Sequence, residues 1–396
     1  MGIRHRRAGG HASGGLIMAA ALLLAGLGAA APARALPEGF VDKEDNYLDI
    51  SEWLIERKGF LPVPIIISEP AIGYGGGLAL MFLRNSMRES AEKARESGLM
   101  IPPDIWVIAA LGTENGTKAA FAGGMASFDE GRWKYRGGIG RAQVNLAFYG
   151  IGEGPLGGAG AGGIDYTLDG WMSMQQALRR LGQSNYWLGA RWLYLDLDSK
   201  LDISGRPDAG LRPDQATRKT SGLGLTLEQD SRDNIFTPSS GWKAALDATF
   251  YDPDWGSDTR FQAYRAHVFA YWPLEKSLVL GTRLDGRAAR GQVPFYMLPF
   301  IDMRGIPAAR YQDKNTGVAE AELRWNVTPR WGVVGFMGAG RAWGSQQSFS
   351  DASSAVSKGL GLRYLLARRV GLWMGLDYAK GPEDSTVYVT VGNSWR

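Results

Sequence analysis

From residue 61 onward the chain alternates apolar and polar residues with a period of two. Trp242, Ala244, Leu246, Ala248 and Phe250 take one side while Lys243, Asp247 and Thr249 take the other. Leu223, Leu225 and Leu227 alternate with Gly222, Gly224, Thr226 and Glu228, and Leu278, Leu280 and Leu284 with Arg283, Asp285 and Arg287. Ala319, Ala321, Leu323 and Trp325 alternate with Glu320, Glu322, Arg324 and Asn326. Period-two runs bounded by turn residues predict strands with one apolar face. Sixteen are predicted: 62–68, 71–84, 104–113, 118–128, 131–147, 164–178, 185–199, 218–230, 241–252, 260–273, 277–290, 316–327, 331–343, 354–366, 369–379 and 385–395.

Charges sit mid-strand on the polar side, as on the solvent face of a soluble β-sandwich or the lumen face of a membrane barrel. The start of the chain separates the two. Arg4, His5, Arg6 and Arg7 form a basic stretch, Leu16 to Ala31 is apolar, and Ala33-Arg34-Ala35 is an A-x-A pattern. Residues 1–35 therefore read as a cleavable export signal. Beyond it no apolar run reaches the length of a spanning helix, so a membrane-embedded chain has to be a barrel. The expected fold is all-β, a transmembrane antiparallel barrel of sixteen strands over residues 61–396, in the bacterial outer membrane. An even strand count puts both barrel ends on the periplasmic side.

Composition narrows the chemistry. The 14 Trp, 15 Tyr, 14 Phe and 55 Gly suit short strands and aromatic girdles. Without residues 1–35 and their arginines, 40 Lys and Arg face 40 Asp and Glu, so nothing points to nucleic acid. There is no Cys, and His267 is the one histidine outside the signal, so disulfides are excluded and no zinc-type ligand set or cofactor is expected. The Gly-rich stretch Gly150 to Gly163 lacks a following helix and a Lys-Ser/Thr, so it reads as an external loop. Residues 36–60 form a separate periplasmic segment, with a short amphipathic helix expected over Ile50 to Lys58 and Asp49 or Ser51 as its cap. A second helical patch is expected over Ser86 to Gly98.

Two segments carry a family resemblance. Asp230-Ser231-Arg232-Asp233-Asn234-Ile235-Phe236-Thr237-Pro238-Ser239-Ser240-Gly241 resembles the D-x-R-D-N…P-x-x-G turn of the bacterial surface antigen family, the barrel domain of BamA- and TamA-type proteins. Met303-Arg304-Gly305-Ile306, on the long loop before strand 12, resembles that family's V-R-G-F/Y motif. Val391-Gly392-Asn393-Ser394-Trp395 resembles its last strand, followed here by Arg396. The resemblance covers roughly residues 61–395. It implies that Arg304 and Gly305 fold into the lumen, with the arginine held by acids on strands 12 and 13.

Here Glu320 and Glu322 face inward with Arg324, but the strand-13 acid is replaced by Gly338. The anchor is then expected from strand 12 alone or from Asp285. A planar guanidinium pairs well with carboxylates, and leaving it buried and unpaired is costly. For Asp230, Arg232, Asp233, Asn234, Pro238 and Gly241 the residue types suit a structural turn. Residues 36–60 are too short for a POTRA domain, so a barrel-only branch is expected.

Pro62 and Pro64 in strand 1 suggest either a poorly bonded seam with strand 16, a candidate lateral opening, or a paired part of strand 1 that begins only after both prolines. Three functions compete. The resemblance implies insertion, assembly or transport of outer-membrane components. A passive pore or structural barrel is the alternative, and a lipid hydrolase built on His267 and a serine is a third. Expected partners are outer-membrane lipids, the barrel-assembly machinery during biogenesis and an unidentified periplasmic protein, with the chain itself a monomer.

Overall fold

A computed structural model describes residues 39–56, 58–84, 89, 104–149, 163–201, 217–345 and 347–395. After a short helix α1 (Ser51–Glu56) come β1 (Gly59–Glu69), β2 (Gly73–Leu83), β3 (Ile105–Thr113), β4 (Lys118–Phe128), β5 (Trp133–Phe148), β6 (Ile164–Arg180), β7 (Tyr186–Leu201) and β8 (Thr217–Asp230). They are followed by β9 (Gly241–Tyr251), β10 (Phe261–Glu275), β11 (Leu278–Gly291), β12 (Asn315–Asn326), β13 (Trp331–Trp343), β14 (Ala355–Ala367), β15 (Leu372–Lys380) and β16 (Ser385–Val391). All sixteen form one sheet in sequence order, each strand antiparallel to the next. This is the expected architecture. The expected helix at Ser86–Gly98 and the Gly150–Gly163 loop lie almost wholly outside the described residues.

The alternation sorts side chains to two faces. Outward on successive strands stand Leu80, Ile108, Ile139, Leu225, Leu246, Leu284 and Leu360, all exposed. Trp133, Trp242, Trp272 and Trp325 cluster near the short turns, as an interfacial girdle does. The short turns mark the periplasmic end. Inward face Arg265, Asp285, Arg283, Glu320, Arg324, Arg363 and Asp377.

Two departures alter the ends of the barrel. The last strand stops at Val391, four residues before the expected limit. Gly392 adopts φ +77° and turns the tail into the lumen, where Trp395 is buried against Phe269, Tyr271 and Val279. Gly392 and Trp395 are therefore not part of the terminal strand. The second departure is the seam. β1 pairs with β2 over its whole length, yet no backbone ladder joins β1 to β16 among the described residues. One bond crosses, from Val389 N–H to Ser68 Oγ at 3.4 Å. Antiparallel register continued from that contact brings Ile66 opposite Val391. Below it, Gly59–Ile65 face no strand, because the tail has turned inward. Pro62 and Pro64 are tolerated on this unpaired edge because neither has an N–H to leave unsatisfied.

The N-terminal segment packs at the same end. α1 is shorter than expected; the Asp49 carboxylate accepts Ser51 N–H at its first turn (2.6 Å). Leu54, Ile50 and Trp53 pack on the inner wall at Leu61, Val63 and Met81 and on the β14–β15 turn at Ala367 and Val370. Arg330, 3% exposed in the β12–β13 turn, binds Asp42, Asp45 and Asp49 at 2.6 Å each. Arg368 joins the same acids. Burial alone would raise Asp45 and Asp49, but the hydrogen bond and charge of Arg330 hold Asp45, and the hydrogen bonds of Ser51 and Arg330 hold Asp49, below the usual aspartate range.

Candidate functional site

The loop between β11 and β12 folds into the lumen. Ile301, Met303 and Ile306 pack against Val318 and Ala355, and Phe295 packs against Phe148 and Tyr166 across the barrel. This places Arg304 at the centre of a charged cluster. Its Nη1 donates to Asp377 Oδ2 at 2.8 Å. Its Nη2 lies 2.7 Å from Glu322 Oε2, close enough for an ion pair though not aligned as a hydrogen bond. The guanidinium stacks 3.6 Å from the centre of the Phe336 ring, a cation–π contact. Gly305 adopts φ +83°, and its N–H donates to Tyr388 Oη at 2.9 Å. A Cβ there would meet Ser357 Oγ at 2.9 Å and Ala379 Cβ at 3.2 Å, so backbone conformation and space both favour glycine. The Ser357 hydroxyl donates to the Arg304 carbonyl.

The expected anchors are only partly the observed ones. Glu322 holds Arg304, but Glu320 does not: it pairs with Arg283 at 2.7 Å. Asp285 is taken by Arg265, Arg283 and Arg287 at 2.7, 2.9 and 3.2 Å. Arg324 faces the periplasmic end, where its Nη2 donates to Pro238 O at 2.9 Å and to Ser239 Oγ at 3.0 Å. The second acid is Asp377 on β15, fully buried and shared with Arg363. Gly338 explains the shift. A Cβ there would stand 2.6 Å from Glu320 Cγ, 2.9 Å from Met303 Sδ and 3.0 Å from Ala319 O, so an acid at 338 would have to displace Glu320 and Met303. The sequence signal for Asp377 was its inward parity between Gly375 and Ala379, which the strand-13 pattern overshadowed.

The turn motif lies below this cluster, against Arg324 and the C-terminal tail. Asp233 Oδ1 accepts the amides of Ser239 and Ser240 at 2.9 and 3.1 Å, and Asn234 Oδ1 accepts those of Phe236 and Thr237 at 2.7 and 3.0 Å. Arg232 forks onto Asp230 at 2.9 and 2.7 Å. Gly241, at φ +86°, has no room for a Cβ beside Ser231 O. The stiffened turn crosses the periplasmic mouth. Asn234 Nδ2 donates to Val370 O at 2.9 Å, and Phe236 O lies 3.0 Å from where a Cβ of Gly392 would be. The C-terminal tail completes the assembly, with Ser394 Oγ 3.3 Å from both Arg304 Nη1 and Glu322 Oε2. Asn393 Nδ2 donates to Tyr271 Oη at 2.6 Å. Loop, turn and tail thus form one polar plug.

A barrel whose C-terminal tail lies between the loop arginine and the periplasmic turn in this way matches a domain model of the Omp85 superfamily over residues 179–395, more than half of the chain. The chain belongs to the Omp85 superfamily. It is therefore a protein of the bacterial outer membrane, in agreement with the resemblance read from its motifs. Solved Omp85-type barrels share its fold. BamA from Haemophilus ducreyi lacking POTRA domains 1–3 superposes with a TM-score of 0.55 at 12% identity, over 85% of this chain and 70% of that one. CdiB from Escherichia coli gives 0.55 at 12% identity, over 83% of this chain and 61% of that one. CdiB from Acinetobacter baumannii gives 0.53 at 12%, over 84% and 59%. The chain spans about three fifths of either CdiB. No curated protein sequence matches it.

His267 faces the lumen beside Phe269, with ring centres 5.0 Å apart, and its Nδ1 has no hydrogen-bond partner. No serine hydroxyl bonds it among the described residues, so the arrangement a hydrolase needs is not present there.

Proposed function

We propose that this Omp85 barrel moves outer-membrane components into or across the membrane through the β1–β16 seam. The observation that carries the reading is the absent ladder: among the described residues β1 has a backbone ladder on its β2 side only, a single side-chain bond at Ser68 joins it to β16, and Gly392 diverts the end of the chain away from it. An edge that lacks a partner is a template for another strand or a doorway for lipid. The loop, turn and tail fill the lumen centre, which argues against a wide passive pore. Residues 1–35 act as the export signal in this reading. Residues 36–60 stand on the periplasmic side, where a periplasmic partner would meet them. Neither the lumen cluster nor the turn is assigned chemistry; both hold the plug in place.

Because the chain has no cysteine, Ile66→Cys with Val391→Cys gives a clean lock across the seam. Oxidation should abolish the cellular function that the reduced double variant supports, and reductant should restore it. Unchanged function in the locked barrel would rule out the seam.

A further inference from the structure

Every strand of β1–β4 is apolar on both faces. On the outer face this is what lipid requires. On the lumen face it has no structural need, because lumen walls of such barrels are polar. Inward stand Leu61, Val63, Met81, Val107, Phe121 and Met125, and the one charged residue of that wall is Glu69, at the extracellular end. α1 covers Leu61, Val63 and Met81. Phe121 and Met125 stay 38% and 42% exposed, so large apolar side chains face the lumen uncovered by any described residue. Such a patch marks a binding surface.

Two further observations say what it binds. The wall begins at the edge Gly59–Ile65, which no strand pairs on the periplasmic half of the seam and which α1 covers from inside at Leu61 and Val63; displacing α1 would open it to the hydrocarbon of the inner leaflet. At its other side it runs into a cavity of about 500 Å³, bounded by Ile105 and Met125 on the apolar side and by Lys134, Arg136, Lys243 and Glu228 on the other. That volume lies in the range of ligand sites. Lys134 and Arg136 share Glu228 at 3.6 and 2.7 Å, and Lys243 has no carboxylate within ion-pair distance among the described residues. Arg232 and Asp230 neutralise each other nearby. The cavity therefore carries an excess of positive charge and suits an anion with an apolar tail.

We propose that the lumen wall of β1–β4 receives the acyl chains of an anionic phospholipid that enters from the periplasmic leaflet past Gly59–Ile65, with its phosphate against Lys243, Lys134 and Arg136. The proposal rests on the seam reading above and names the substrate class for it. Charge orients the lipid: the headgroup stays on the cationic side while the chains slide along β1–β4, and the phosphate never crosses hydrocarbon.

The full chain, reconstituted in bilayers of phosphatidylethanolamine and phosphatidylglycerol, tests it with a phosphatidylglycerol carrying a photoreactive acyl chain. Lumen-facing Phe121 and Met125 should be labelled as well as lipid-facing Ile108. Lys243→Gln should lower lumen labelling by about fivefold and leave Ile108 unchanged, and Met125→Gln should do the same. Unboiled-gel mobility reports that each variant is folded. Labelling confined to outward residues, or photolinks from Phe121 to the chain's own residues 1–38 or 85–103 in place of lipid, would overturn the proposal. Equal lumen labelling by a phosphatidylcholine probe would overturn the anionic assignment. The Ile66–Val391 lock separates the two readings. A lock that abolishes function while lumen labelling is absent in the unlocked barrel sinks the lipid and leaves the seam. A lock without effect on function sinks the seam itself.

Discussion

On β1–β4 the lumen meets Leu61, Val63, Met81, Val107 and Phe121; on β10–β15 it meets Arg265, Asp285, Arg283, Glu320, Arg324 and Asp377. One barrel carries two inner walls with opposite requirements. The charged wall is closed on itself: Asp285 serves three arginines, Asp377 two, and the loop's Arg304 is drawn into the network. Buried charges tolerate this only when nearly all are paired, so the wall is rigid and holds the plug. The apolar wall has no such partners. It depends on α1 and on whatever enters the lumen, and it borders the edge that no strand covers. Fixed structure and exchangeable contact are thus divided between the two sides.

The largest blow to that division is Asp377→Asn. It leaves Arg304 and Arg363 short of a buried counter-charge, at a cost of about 3–5 kcal/mol. The midpoint of thermal unfolding, followed by gel mobility, should fall steeply. Released from its anchor, the loop should let planar-bilayer conductance rise, and Arg304→Ala should raise it in the same way. Conductance unchanged in both variants would count against the plug.

Gly338→Ala tests the tight approach on β13. The added methyl meets Glu320, Met303 and Ala319 O, and the strain is about 1–3 kcal/mol. The same measurement on Phe121→Ser should show about 1 kcal/mol or less, because the ring is partly exposed to the lumen. A large loss at Phe121 would mean that this wall is a packed core like its opposite, and the comparison would fail.

The smallest effect concerns pH. Asp45 is held below the usual aspartate value by Arg330, and Asp49 by Ser51 and Arg330, so their contribution is present above that value and is lost as pH falls through the lowered one. Protection of the Ile50 amide, whose N–H donates to Leu366 O, measured against its intrinsic exchange rate at each pH, should hold at pH 5 and be lost only below about pH 4. Arg330→Gln should shift that loss to higher pH. Protection lost at the same pH with or without Arg330 would show that α1 is held by Leu54 and its apolar neighbours alone.

Much of the site was legible in sequence. Asp233, Asn234 and Gly241 announced a turn, because each residue type satisfies a local backbone need. Arg304 and Gly305 announced an inward loop. Glu322 was among the expected partners, and Glu320 has another partner, Arg283. Asp377 was not expected, because two adjacent inward carboxylates on β12 look equivalent until neighbouring strands are set beside them. Arg324 was grouped with Arg304 by parity, yet parity does not say at which height along the barrel a residue stands. The tail was read as strand through Trp395, since period two continues there. One left-handed glycine redirected it, and Phe269 and Tyr271 supplied the pocket for the indole.

By itself the sequence determined the class, the number of strands and, where the lumen side is polar as on β8–β12, the two faces of the strand, because lipid on one side and a polar lumen on the other impose a period of two. Only the tertiary structure decided which carboxylate met which arginine, that β1 and β16 form no backbone ladder, and that β1–β4 present their second apolar face to the lumen. Those outcomes depend on register and stagger between strands far apart in the chain, where the nearest charge or the missing neighbour is set by geometry that no local pattern records.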